Sequence, residues 1–370
     1  MFTHPSEPQT ELSLARYYRG ARSVHLERLA TFTPGDFLYF KPMYDFDEAL
    51  AAKLPYVHHV RFSQVLRAVL RKQYDVLELA EPYTPSALPQ NLMITLASHV
   101  SRFGRGKPTR LVTYAIENAD LPAKIATKTR LPLAIVRPLV RALVGFCFNR
   151  IDKVVFGTQA AADNYAALLG ANRLAKSSPT HTLIWGLPTR EPSLSDDRPS
   201  PQLVFLGTLD SRKGITQLMT VWDAVSQRIT GAQLVILGKG PLEAQVTDWA
   251  ATRSTVTLEI DPPRPIIRDR LSTSRALFML SQPSVLWKEQ IGLPILEGLG
   301  FGLEIVASSE TGISRWLDEH GHHVLEPDAP DSDLIEAIVQ SLESGRSPSR
   351  VADDLPELDG RLAADHWLYS

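Results

Sequence analysis

Short runs of β-branched and other apolar residues alternate along the chain with longer stretches in which apolar positions recur every three or four residues. The short runs predict strands at Asp36–Phe40, Asp75–Leu79, Arg110–Ile116 and Lys153–Gly157 in the first half. In the second half they predict strands at Leu203–Gly207, Gln233–Gly238, Thr255–Glu259, Ala276–Leu280 and Glu304–Ala307. Helical spacing marks Phe62–Gln73, Gln159–Leu169, Ile215–Arg228 and Leu334–Leu342. Alternation of this kind predicts an α/β fold with parallel sheets. The stretch Leu187–Gln202 has four prolines and three serines without periodicity, as a linker does. The predicted organisation is a first doubly wound domain over 1–186, a linker over 187–202 and a second domain over 203–350. A closing segment, 351–370, is expected to return to the first domain. Two such domains leave a cleft between them, and open α/β sheets bind ligands at the carboxyl ends of their strands.

Composition leaves this picture unchanged but adds an asymmetry. The 370 residues are 44% hydrophobic and 22% charged, as in a soluble globular protein, and are too many for one ordinary core. The single cysteine, Cys147, excludes an intramolecular disulfide and a Cys-based zinc site, and reads as a buried thiol. Residues 1–190 hold 24 Lys/Arg against 14 Asp/Glu, whereas residues 191–370 hold 15 against 27. Domains of opposite sign suggest different partners. Without a secretory leader pattern or an Asn-x-Ser/Thr site, a cytoplasmic location is expected. Basic residues are not interleaved with aromatics in one patch, which argues against nucleic acid.

The most informative segment is Lys288-Glu289-Gln290-Ile291-Gly292-Leu293-Pro294-Ile295-Leu296-Glu297-Gly298. It follows a predicted strand and opens a helix, with Pro294 suited to the first turn. The free N–H groups at Gly292 and Leu293 would then face an anion such as a diphosphate. Glu297 lies one turn in, where a carboxylate can accept two hydrogen bonds from a cis-diol. Glu289, in the preceding loop, can reach the hydroxyls of a sugar. A second segment, Leu203-Val204-Phe205-Leu206-Gly207-Thr208-Leu209-Asp210-Ser211-Arg212-Lys213-Gly214, places adjacent cations beyond a strand, where they can neutralise a leaving diphosphate. A third, Leu234-Val235-Ile236-Leu237-Gly238-Lys239-Gly240-Pro241, fails as a dinucleotide fingerprint because Glu243 holds the third glycine position.

Taken in order, these segments resemble the retaining glycosyltransferases of family 4, a GT-B family of two Rossmann-like domains. The likeness covers about residues 203–327, ending in Gly302-Leu303-Glu304-Ile305-Val306-Ala307-Ser308-Ser309-Glu310-Thr311-Gly312-Ile313. It implies transfer of a sugar from a nucleotide-sugar donor to a glycan or lipid-linked acceptor, with no metal and no cofactor. By the resemblance, Glu297 holds the donor ribose and Glu289 the donor sugar. Lys213, with Arg212, meets the diphosphate, while Gly207, Thr208, Gly292 and Leu293 line the donor site. The sequence departs from the family at Thr208, where an arginine is common, at Leu303, and at Ser314 and Arg315, where an acid is common. Two alternatives share this architecture: a non-catalytic subunit that binds a partner enzyme, and a sugar-nucleotide epimerase.

The first half is similar to the family only in layout. Glu81 follows a predicted strand, and Glu117-Asn118 end the next, where either can hydrogen-bond the sugar or acceptor and Glu117 can act as a base. Thr158 is expected to face the cleft. The opening residues Met1-Phe2-Thr3-His4-Pro5-Ser6 hold no apolar strand, so the first strand is expected to be absent or cut to a stub. Between Asp120 and Asp152 lie Lys124, Lys128, Arg130, Arg137, Arg141 and Arg150, with no acid and many aliphatic residues. The run is too interrupted to span a bilayer but suits an anionic membrane surface, which would place the protein peripherally on the inner face of the plasma membrane.

Overall fold

The computed structural model describes residues 12–104, 106–171, 174, 179–198 and 200–370. Its strands form two sheets in which every pairing is parallel. The first contains β1 (Leu14–Ala21), β2 (Asp36–Pro42), β3 (Val57–His59), β4 (Val76–Ala80), β5 (Arg110–Ala115), β6 (Lys153–Phe156) and β7 (Thr180–Leu183). The second contains β8 (Gln202–Leu206), β9 (Gln233–Gly238), β10 (Val256–Ile260), β11 (Ala276–Met279), β12 (Glu304–Ser308) and β13 (His323–Leu325). The orders are β3-β2-β1-β4-β5-β6-β7 and β10-β9-β8-β11-β12-β13. Both are doubly wound, with the order reversing between β1 and β4 and between β8 and β11, where such sheets open a crevice.

The helices at Gln159–Leu169 and Ile215–Arg228 have the predicted limits. Apart from β1, the strands the periodicity misses, β3, β7 and β13, are three or four residues long and lie at sheet edges. Each contains histidine (Val-His-His, Thr-His-Thr-Leu, His-Val-Leu), because an edge strand buries less and tolerates polar residues.

The expected loss of the first strand is incorrect. β1 is eight residues long and lies between β2 and β4 in the first sheet. Its sequence, Leu-Ala-Arg-Tyr-Tyr-Arg-Gly-Ala, does not read as an apolar run because Arg16 is buried as an ion. Glu78 on β4 stands 3.5 Å from Arg16, and Asp365 accepts from it at 2.6 Å. Buried charge persists where it is paired in this way.

Asp365 belongs to the helix Gly360–Tyr369, which follows the second domain yet packs on the first sheet. Ala364, Leu368 and Tyr369 join Leu14, Val76, Val112 and Val155 in one apolar cluster. From the same helix Arg361 binds Glu78, and the Tyr369 hydroxyl donates to Glu78 at 2.6 Å.

Candidate active site

The loops beyond the carboxyl ends of both sheets enclose a cleft of about 450 Å³. Asn118 ties its walls together: the side-chain Nδ2 donates to the Glu289 and Glu310 carbonyls, each at 2.9 Å. Its amide is therefore committed to holding the domains. Gly312 closes the same seam, since a Cβ there would meet the Gln290 carbonyl and approach Thr158 Cγ2 at 3.2 Å.

The second-domain wall begins at the switch point. Beyond β8, Asp210 caps the turn Ser211–Lys213 by accepting from the Arg212 N–H at 3.0 Å. That turn presents Arg212 and Lys213 side by side over Trp287, at 4.6 and 4.9 Å from the ring centroid. Lys213 is also ion-paired with Glu289, and both side chains are largely shielded from solvent. Ser281 donates to the same carboxylate at 3.4 Å.

The helix Leu293–Gly300 starts as the sequence predicts, with Pro294 in its first turn. Gly292, its N-cap, has φ +88°, and a Cβ there would come within 2.5 Å of Met279 Cε. Only glycine adopts that conformation freely, and the bare backbone leaves the helix N-terminus open toward the cleft. Leu293 is exposed beside it.

Glu297 lies farther along, 26% exposed, and accepts from Arg264 Nη1 at 2.8 Å. Because the Arg264 side chain is mostly exposed, this contact is readily exchanged for another donor. A shallow depression of about 220 Å³ near the carboxyl ends of β8, β9 and β10 includes Gly207, Thr208, Lys239 and Asp261. It depends on Gly238, where any Cβ would run into the Gly207 carbonyl.

The first-domain wall is organised differently. Glu117 lines the cleft, nearly buried, and its Oε1 accepts from Lys124 at 2.9 Å and from the Ala119 N–H at 3.1 Å. Glu81 does not line the cleft; it lies beneath, with Oε1 accepting the N–H groups of Ile116 and Glu117 at 2.9 and 2.8 Å. Its Oε2 is buried without a partner among the described residues. Burial pushes the Glu81 carboxyl up to about 8; the two backbone donors oppose that rise and the neighbouring Glu117 charge adds to it. Thr158 is fully buried, and its hydroxyl caps the helix Gln159–Leu169 by accepting from the Ala161 N–H at 3.1 Å. Its expected place at the cleft is taken by that cap, with only the methyl near the seam.

Sequence reasoning missed Trp287, Arg22, His25, Arg28 and Arg361, all of which line the cleft. Trp287, two residues before Glu289, was within reach of a closer reading as a platform for the adjacent cations. Arg361 had no local signal, because the fold brings it from the other end of the chain.

With this geometry in place, comparison with known proteins adds the following. Residues 200–344 match the family described as Glycosyl transferases group 1. No curated protein sequence matches. The chain is similar in structure to the lipopolysaccharide outer core galactosyltransferase WaaB in its apo form, at TM-score 0.66 and 12% identity, covering 97% of this chain and 99% of that one. It is similar to HepE of Anabaena in complex with UDP, at TM-score 0.62 and 13% identity over 97% and 96% of the two chains. WaaG, a glycosyltransferase involved in lipopolysaccharide biosynthesis, superimposes at TM-score 0.55 and 13% identity over 96% and 99%. The fold is thus GT-B, two facing α/β domains with parallel sheets.

Proposed function

We propose that this chain is a nucleotide-sugar-dependent glycosyltransferase, a hexosyltransferase that retains anomeric configuration. The observation that carries the reading is the convergence on one switch point of Lys213, Glu289, the open helix start at Gly292 and, one turn on, Glu297. The donor would lie with its base in the shallow depression near Gly207 and Thr208 and its ribose on Glu297 in place of Arg264. Lys213, Arg212 and the N–H groups of Gly292 and Leu293 would take the diphosphate. Glu289, released from Lys213 by that phosphate, would hold the transferred sugar. The anomeric carbon–oxygen bond to the diphosphate breaks, the acceptor oxygen bonds that carbon on the same face, and its proton passes to the departing diphosphate. Glu117, bound to Lys124, is placed to orient the acceptor hydroxyl. The two cations over Trp287 take the electrostatic part that an arginine at position 208 would otherwise share.

A thermal-shift screen with UDP-, GDP- and ADP-sugars tests the reading. One donor should stabilise the protein and Glu297→Ala should remove that shift; a shift that survives in the variant sinks the assignment.

The acceptor is a glycan or a lipid-linked glycan of cell-surface polysaccharide or glycolipid synthesis, met at the cytoplasmic side of a membrane. This part of the reading draws on the helix Leu133–Phe148, which buries Val136, Val140 and Val144 but exposes Ile135 and Leu139. The helix Leu88–Ser101, packed against it, exposes Met93, Leu96 and Val100, and Phe103 follows, 85% exposed. The helix Leu133–Phe148 also carries the exposed Arg137 and Arg141, and among the described residues no helix is long and apolar enough to cross a membrane. Flotation with anionic liposomes should carry the protein at low salt and release it at high salt; no binding at low salt removes the membrane from the proposal.

A further inference from the structure

The acids in the cleft wall already have partners: Glu117 holds Lys124, Glu289 holds Lys213, and Asp359 accepts from the Arg361 and Leu362 N–H groups. The cations of the first-domain side are less well matched. Arg28 lines the cleft and has no ion pair or hydrogen bond from its side chain among the described residues. Arg22 gives its Nε to Asp45 at 2.9 Å, while Nη2 reaches only the Tyr44 hydroxyl at 3.3 Å. Arg361 is 5% exposed and bonds Glu78 through Nη2, and its Nη1 is buried without a partner among the described residues.

All three arginines line the cleft together with His25, and their charges act on its ring. The His25 Nδ1 accepts from the backbone N–H of Arg22 at 3.2 Å, and the ring packs on Tyr18 at 4.6 Å. Burial, with the charges of Arg28, Arg22 and Arg361, holds the His25 ring down at about 4, so it is neutral at physiological pH. Asp359 also faces this region, but its Oδ1 is committed to capping its own helix. Like charges gathered round a neutral ring repel one another, and a buried donor without an acceptor costs free energy. Both costs are offset when an anion enters, and arginine forks match the oxygens of phosphate and carboxylate.

We infer that Arg22, Arg28 and Arg361 form an anion subsite on the first-domain wall, and that the acceptor bears a phosphate or carboxylate held there. The inference rests on the glycosyltransferase reading, in which the groups assigned to the donor (Lys213, Glu289, Gly292 and Glu297) all belong to the second domain. A neutral sugar alone would leave the subsite unfilled, so the subsite selects a phosphorylated, phospholipid-linked or acidic acceptor.

Inorganic phosphate is the first probe, titrated at constant ionic strength by calorimetry against the intact protein, Arg28→Gln and Arg350→Gln. The Arg28 side chain has no hydrogen bond or ion pair among the described residues for glutamine to break, and Arg350 is an exposed arginine at the end of the second domain. Phosphate should bind the intact protein and Arg350→Gln alike, and bind Arg28→Gln about tenfold or more weakly. Phosphate should still bind when UDP is present at saturation. Failure of phosphate to bind the intact protein, or equal affinity for Arg28→Gln, overturns the subsite. Competition by UDP overturns its assignment to the acceptor and gives the guanidinium groups to the donor diphosphate. The broader reading fails separately, by the absence of any response to UDP-, GDP- or ADP-sugars whatever phosphate does.

Discussion

The second domain meets the cleft with charges held in isolated pairs, and the first domain carries a buried network of charges behind its side of the cleft. Glu297 faces the largely exposed Arg264, whereas Glu289 and Lys213 form a pair mostly shielded from solvent. In the first domain Arg16, Glu78, Arg361 and Asp365 form one buried network, of which only Arg361 reaches the cleft. The difference separates binding from architecture. The exposed Arg264–Glu297 pair can be altered with little effect on folding, whereas the buried charges of the first domain hold the sheet and one edge of the cleft together.

The sharpest way to break that contrast is Arg361→Met. It leaves Glu78 with Arg16 as its only cation and should cost about 3–5 kcal/mol, seen as a large fall in denaturation midpoint. An unchanged midpoint would mean the network is incidental. Next in size, Lys213→Met should reduce sugar transfer by about 10²–10³-fold while lowering the melting temperature less than Arg361→Met does, because Glu289 keeps Ser281 as a donor. Loss of folding together with activity would show that the second wall is architectural too. Asn118→Ala removes both bonds across the seam and should cost roughly 1–3 kcal/mol. It should also let the domains separate, which small-angle scattering would register as a larger radius of gyration.

The last contrast is one of pH, and it has opposite signs in the two domains. Glu81 keeps its proton to about 8 in the native state, whereas the unfolded chain releases it near 4.5. Its contribution therefore falls as pH rises between those values, by at most about 1.4 kcal/mol per unit. Glu304 in the second domain is buried, which alone would raise its carboxyl, but the His322 ring, Arg346 and Ser344 bring it down to about 2. Its contribution is complete above 4.5 and is lost as pH falls toward 2. Denaturant midpoints across this range should flatten between 4.5 and 8 in Glu81→Gln, and should drop less steeply in acid in Glu304→Gln.

Legibility in the sequence follows the same division. The segments 203–214 and 288–298 could be read because their residues are neighbours in the chain and the helix start between them has its own signals, Gly292 and Pro294. The strands β8, β9, β11 and β12 could be read because their interiors are continuously apolar. β1 could not, because a strand with two arginines and two tyrosines has no apolar period, and the groups that make Arg16 tolerable lie far away in sequence. Thr158 was read as a ligand-facing hydroxyl although Thr-x-x-Ala before a helical stretch also suits a cap. For Asn118, the end of a strand was correctly placed but the carbonyls it binds belong to another domain. Patterns local in sequence disclose sites made by one loop; they do not disclose which distant charges meet.

The helix Gly360–Tyr369 also sets an order of events during synthesis. Arg16 leaves the ribosome long before its hydrogen-bond partner Asp365, which follows 349 positions later. While the second domain is being made, the nascent first sheet lacks the apolar cover of Ala364, Leu368 and Tyr369 and both late members of its ionic network. Contacts this distant in sequence form slowly. The domain translated first is therefore the one finished last, and its half-covered sheet is the stretch of this chain that chaperones have most reason to hold.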